Sequence, residues 1–173
     1  MLLTLDYNNI DINNIILCEP INNTVIENSK FIRLIYSDKN IIMNGIYIKL
    51  SIHISNIEHA YNKLRCYVDP EKNRDICKGL IRIENTILSK TLSNKTPAYK
   101  LTECLNKGII KIFSENYSKP HFNSPNKEKY NNERSISLNK NTNNNSQYNI
   151  ILKISGIWAD ERDYGLTYKF ITL

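Results

Sequence analysis

Glycine and proline are scarce, with five of each among 173 residues. That excludes collagen-like repeats and proline-rich spacers. The cysteines are few and scattered: Cys18, Cys66, Cys77 and Cys104. None forms a CxxC pair or joins a histidine at zinc-binding spacing, so zinc fingers and ribbons are excluded. Cys66 and Cys77 fall on the apolar sides of predicted elements. Buried free thiols in a reducing, intracellular compartment are therefore expected. No run approaches the roughly 20 apolar residues of a membrane helix, so no membrane partner is expected. The opening "MLLTLDYNNIDINN" has neither a basic region nor a long apolar run, which argues against a signal peptide.

The motifs of common active sites are also missing. There is no G-x-S-x-G, P-loop, G-x-G-x-x-G or H-E-x-x-H. His53, His59 and His121 have no carboxylate or cysteine at useful spacing. Asp160, Glu161 and Asp163 cluster in "DERD", but without the further oxygen ligands of a calcium or magnesium site, and a solvated turn explains them. A nuclease using these three acids with a metal is the enzymatic rival. The expectation is a protein that is not an enzyme and holds no cofactor or metal.

What is abundant is Asn, Ile and Lys, a usage that follows AT-rich coding. Hydrophobic residues make up 41% and charged residues 23%, ordinary for a globular chain. The length suits a single domain, 1–173. The formal net charge is +6 and the pI about 9.1, which is compatible with a polyanionic partner.

Hydrophobic periodicity then divides the chain. "FIRLIY" (31–36) is β-branched and aromatic, and "SDKN" supplies a turn. "GIYIKLSIHI" alternates strictly. Ile46, Ile48, Leu50, Ile52 and Ile54 share one face; Tyr47, Lys49, Ser51 and His53 share the other. "YNKLRCYV" (61–68) repeats that logic, although a helix over "NIEHAYNKL" competes with it. Residues 69–92 read as the principal helix. Asp69 serves as N-cap, Ile76, Leu80, Ile83 and Ile87 form an apolar stripe, and Glu71, Asp75 and Glu84 lie among lysines and arginines on a wet side. Gly79 weakens this helix slightly. "TPAYKLTECLNKG" (96–108) predicts a shorter helix closed by Gly108, and "IIKIF" a strand. Residues 115–147 are Asn-rich and poor in aliphatics, so they predict a flexible loop inserted before the last elements. "YNIILKISGIWADERDYGLTYKFITL" predicts a hairpin, with Gly165 giving the turn a positive φ.

Strands predominate. The expected class is mainly β with helices (α+β): a small barrel or curled antiparallel sheet, plugged by one principal helix. An oligonucleotide-binding (OB) barrel, with three strands before its helix and two after, matches this order closely. The polar strand faces share a composition, cations beside aromatics. Arg33, Tyr47, Lys49, Tyr61, Lys63, Arg65, Tyr67, Lys111, Phe113, Lys153 and Lys169 are the candidate nucleic-acid-binding residues. Cations follow phosphates, and rings stack on bases at about 1–3 kcal/mol each. The competing explanation is that Tyr and Lys are common on the open side of any sheet. Trp158 falls on an apolar side and is assigned to the core.

The segments "FIRLIYSDKNIIMNGIYIKL", "CYVDPEKNRDICKGLIRIENTIL", "TPAYKLTECLNKGIIKIF" and "ILKISGIWADERDYGLTYKFITL" resemble those of small OB-like single-stranded-DNA-binding proteins from large double-stranded-DNA viruses. The resemblance covers most of 31–114 and 148–173. It implies binding of single-stranded DNA, with RNA as the other candidate, in replication, recombination or repair. It also implies replication proteins or a second copy as partners, and a viral replication site in the host nucleus or cytoplasm. Many such viral proteins end in an acidic tail, whereas this sequence ends in "KFITL". The alternative from another class is a virion or assembly protein that binds another protein through its sheet.

Overall fold

Alternating sequences become strands wherever one of their faces can be buried. The computed structural model describes residues 2–60, 63–91, 94–113 and 147–172. In chain order its elements are β1 (Ile15–Asn22), β2 (Lys30–Ser37), β3 (Ile42–Asn44), β4 (Ile46–Ala60), β5 (Lys63–Val68), α1 (Arg74–Ser89), β6 (Thr96–Ala98), α2 (Lys100–Asn106), β7 (Ile109–Phe113), β8 (Gln147–Ala159) and β9 (Asp163–Thr172). The expected loop over 115–147 lies outside the described residues except at Gln147, which begins β8.

Five strands close on themselves: β4 pairs β5, β5 pairs β7, β7 pairs β9, β9 pairs β8 and β8 returns to β4. Only the β7–β9 contact in this ring is parallel. The result is a closed five-stranded barrel with extra strands, mainly β with two helices, of the small OB-like kind. One correction to the expected order follows. The strand from "FIRLIY" is not a barrel stave: β2 pairs with the far end of β8 and, with β1 and β3, forms a wing outside the ring. The ring therefore has two strands before the principal helix and three after it. The strand expected from "YNKLRCYV" is present as β5, and the competing helix over "NIEHAYNKL" does not form, because β4 runs on to Ala60 and pairs with β5.

The interior follows the predicted alternation. Ile46, Ile48, Leu50, Ile52 and Ile54 point inward with Leu64, Cys66, Ile110, Ile112, Ile150, Leu152, Ile154 and Phe170. The α1 residues Leu80, Ile83, Ile87 and Leu88 join the same core. Burying each such side chain is worth about 1.5–3 kcal/mol relative to exposure. That outweighs the roughly 1 kcal/mol that Gly79 costs the helix.

Polar groups hold α1 in place. Its N-cap is Asn73, not Asp69, whose carboxylate instead accepts from Glu71 N and Lys72 N in the preceding turn. Buried Asn73 donates through Nδ2 to His53 O (2.9 Å) and accepts through Oδ1 from His53 N (2.8 Å). It thereby extends the β4 ladder by one side-chain amide. Glu84 overturns its expected place on the wet side, because it is fully buried. It accepts from Leu101 N at 3.0 Å, and from Thr102 N and Oγ1 at 2.7 and 2.6 Å. Those amides begin α2, so a carboxylate on one helix caps the next.

Gly108 has φ +63° and ends α2 as expected. "TPA" is the short strand β6, parallel to β9, rather than the start of a helix. Gly165 lacks a positive φ and lies inside β9, where Ala98 O and the Trp158 ring leave no room for a Cβ. The hairpin turn rests instead on Asp160, whose carboxylate accepts from Arg162 N and Asp163 N, both at 2.8 Å. Those two amides hold the Asp160 carboxyl below its usual range. Trp158 is only half-buried.

Candidate functional site

The polar faces of the barrel strands meet in register. On β5, Leu64, Cys66 and Val68 are buried, so Lys63, Arg65 and Tyr67 face out. Arg65 stands opposite Lys111 on β7, and Lys63 opposite Phe113. Lys111 directly precedes the rung that joins Ile112 to Phe170, which sets it beside Lys169 on β9. Lys169 stands opposite Lys153 on β8, and Lys153 opposite Tyr47 on β4. Arg65, Lys111, Lys169 and Lys153 thus form one row across four neighbouring strands. The row leaves β4 at Glu58, the partner of Arg65, and returns to the same strand at Tyr47. The strong stagger of the strands makes this a strip wound around the barrel instead of a closed belt.

Like charges opposed across a ladder destabilise a sheet. Here that opposition occurs at Arg65–Lys111 and again at Lys153–Lys169. At one end of the row Glu58 lies 3.8 Å from Arg65, with both side chains about half exposed. At that exposure the pair is worth little.

The row opens into a cleft. β7 and β9 are paired only at Ile112–Phe170 and Phe113–Ile171, and α2 packs against both strands. The space between them is about 550 Å³. Arg65, Lys111 and Lys169 line it from the strands, and Lys100, Lys107 and Glu103 from α2. Ile109, Cys104, Tyr168 and Phe170 form its apolar part. Tyr168 donates to Lys100 O at 3.1 Å and meets Phe170 edge-on, with centroids 6.0 Å apart. Burial, reinforced by Cys104 and Glu84, pushes the Tyr168 hydroxyl well above its ordinary pKa. The Cys104 thiol donates to Ile109 O, and burial pushes its pKa up, which favours the neutral thiol in this wall.

The aromatic half of the expected site is less open than its cations. The Tyr47 ring already carries Lys153 Nζ, 4.9 Å from its centroid. The Tyr67 hydroxyl donates to Glu58 at 3.0 Å. Tyr61 and the Phe113 side chain lie outside the described residues. Lys49 is exposed on the same face as Tyr47, opposite Ile151. Arg33 is exposed on the wing opposite Gly156, outside the ring. Residue-type reasoning did not nominate Lys100 and Lys107. Their signal was present, since Lys100, Glu103 and Lys107 recur at helical spacing on one face of α2. Among the described residues no group of three or more His, Cys, Asp or Glu is placed to hold a metal. None of their helices is long and apolar enough to cross a membrane.

Comparison with protein-family models, with curated proteins and with solved structures finds no match to this chain.

Proposed function

We propose that the protein binds single-stranded nucleic acid along the strip Arg65–Lys111–Lys169–Lys153, without catalysing a reaction. The observation that supports this is the direct opposition of like charges at two rungs of a barrel. Such rungs cost the free protein stability, and a phosphate chain laid along them relieves that cost. The OB architecture adds a fold-level analogy, since such barrels bind oligonucleotides on the outer face of their second and third strands. Here those strands are β5 and β7, which carry Arg65 and Lys111. In this mechanism the cations follow the backbone. Tyr47 stacks on a base once a phosphate has drawn Lys153 off its ring, and Tyr67 stacks beside Arg65. DNA in viral replication, recombination or repair is the biological setting that the sequence resemblance suggests.

The test is fluorescence polarisation with labelled single- and double-stranded oligonucleotides at two salt concentrations. The expected result is preference for the single strand, with affinity falling steeply as salt rises. Affinity insensitive to salt, or equal for duplex, would refute the reading.

A second reading, docking of another protein, has its own observation. The outer face of the wing carries Ile16, Ile21 and Ile42, between 51% and 78% exposed. A complex made there responds little to salt and survives loss of the barrel cations.

A further inference from the structure

The cleft at the β7–β9 seam asks for more than a passing phosphodiester. Resting on the nucleic-acid reading, we infer that it holds the terminal nucleotide of a strand through a phosphate monoester, so that the protein prefers phosphorylated ends. Its volume of about 550 Å³ lies within the range of about 300–1,000 Å³ typical of small-ligand sites. The strands bring Arg65, Lys111 and Lys169 to it, and α2 adds Lys100 and Lys107 from the facing side. Glu103 is the one carboxylate among the lining residues, and Lys100 holds it at 3.3 Å.

An internal phosphodiester brings a single negative charge, which the strip alone can match. A phosphate monoester carries about −1.5 to −2 at neutral pH and presents three acceptor oxygens. That is the anion suited to cations arriving from two sides, one of them the planar fork of Arg65. Behind the cations the wall is apolar: half-buried Ile109 and Tyr168 give the terminal sugar and base a dry surface, backed by buried Phe170. The α2 lysines therefore mark the end of the strip, where a chain stops instead of passing through.

The experiment compares one short oligothymidylate in three forms, with a 5′-phosphate, with a 3′-phosphate, and with hydroxyls at both ends, titrated against the full chain. One phosphorylated form should bind about tenfold tighter than the hydroxyl form. The Lys100→Ala/Lys107→Ala variant should lose that preference, its affinity for the phosphorylated form falling by a clearly larger factor than its affinity for the hydroxyl form. Lys107→Ala alone, at an exposed position just past the helix, guards against misfolding of the double variant and should lose part of the preference. Equal affinity for all three forms, with the salt dependence intact, would overturn the end assignment and leave the nucleic-acid reading standing. Absence of binding to any form removes both. Free thymidine monophosphate competing as well as the phosphorylated strand, or an acidic peptide displacing that strand at equal concentration, would overturn the assignment in favour of a different occupant.

Discussion

Glu84 shows how a single residue can be misread by its charge and recovered by its angle. It lies four residues after Leu80 and three and four before Ile87 and Leu88, so it belongs to the apolar stripe of α1. Buried there, it holds three donors at the start of α2. Glu84→Ala strands the Leu101 and Thr102 amides and should cost about 3 kcal/mol, read as a lower urea midpoint with an unchanged slope. Glu84→Gln retains one acceptor oxygen and should fall between the two. An Ala variant as stable as the parent would show that the cap contributes nothing. Cys66 gives a pH prediction at the same scale. Burial pushes its thiol from 9.0 up to about 12. Between those values the unfolded chain has released a proton that the folded chain still holds. Stability from this group is thus intact below about pH 9 and declines as pH rises toward 12. Urea midpoints from pH 8 to 11 should fall less steeply in Cys66→Ala, although that variant starts lower because of the cavity it leaves. Parallel slopes in the two proteins would mean that Cys66 does not carry the effect.

Among the elements, the long alternations were readable because each needs only its own sequence. β4, the β8–β9 hairpin and the α1 stripe stand where periodicity put them. The elements that were misread depend on distant partners. "TPA" is a strand because β9 offers it a parallel edge, and β2 left the barrel because β8 outruns the ring and pairs with it. Gly79 makes the same point in a form that can be measured. Helix propensity alone predicts that Gly79→Ala stabilises α1 by about 1 kcal/mol. In the folded protein, however, a Cβ at Gly79 would come within 2.4 Å of the edge of the Tyr7 ring, which is packed against the core. Displacing that ring should outweigh the propensity gain, so Gly79→Ala is expected to lower the melting temperature. In a Tyr7→Ala background the same substitution should raise it. The double-mutant cycle reads the sign change directly, and a stabilising Gly79→Ala in the parent would refute this packing.

At the scale of the whole molecule, period two tells which side of a strand a lysine occupies but not which strand lies next to it. Lys153 and Lys169 could be paired from the sequence because a short turn joins their strands. Lys111 beside Lys169 could not, because that adjacency rests on a parallel contact which no turn enforces. The stagger of the closed ring then decides that the cations form one strip, and that strip sets function against stability. Lys111 faces Arg65 across a ladder and has Lys169 on its other side. Lys111→Ala should therefore raise the stability of the free protein, by about 0.2–1 kcal/mol per relieved contact. The same substitution should weaken binding to single-stranded DNA and reduce the salt slope by about 1. Arg33→Ala, on the wing and away from the strip, should leave the slope unchanged. Thermal melts without ligand and salt-dependent titrations on the same two variants test both halves together. If Lys111→Ala melts lower and binds as before, the strip is ordinary solvated surface. If it melts higher and binds more weakly, with Arg33→Ala unaffected, the opposed charges are held against their own repulsion for the sake of an anion.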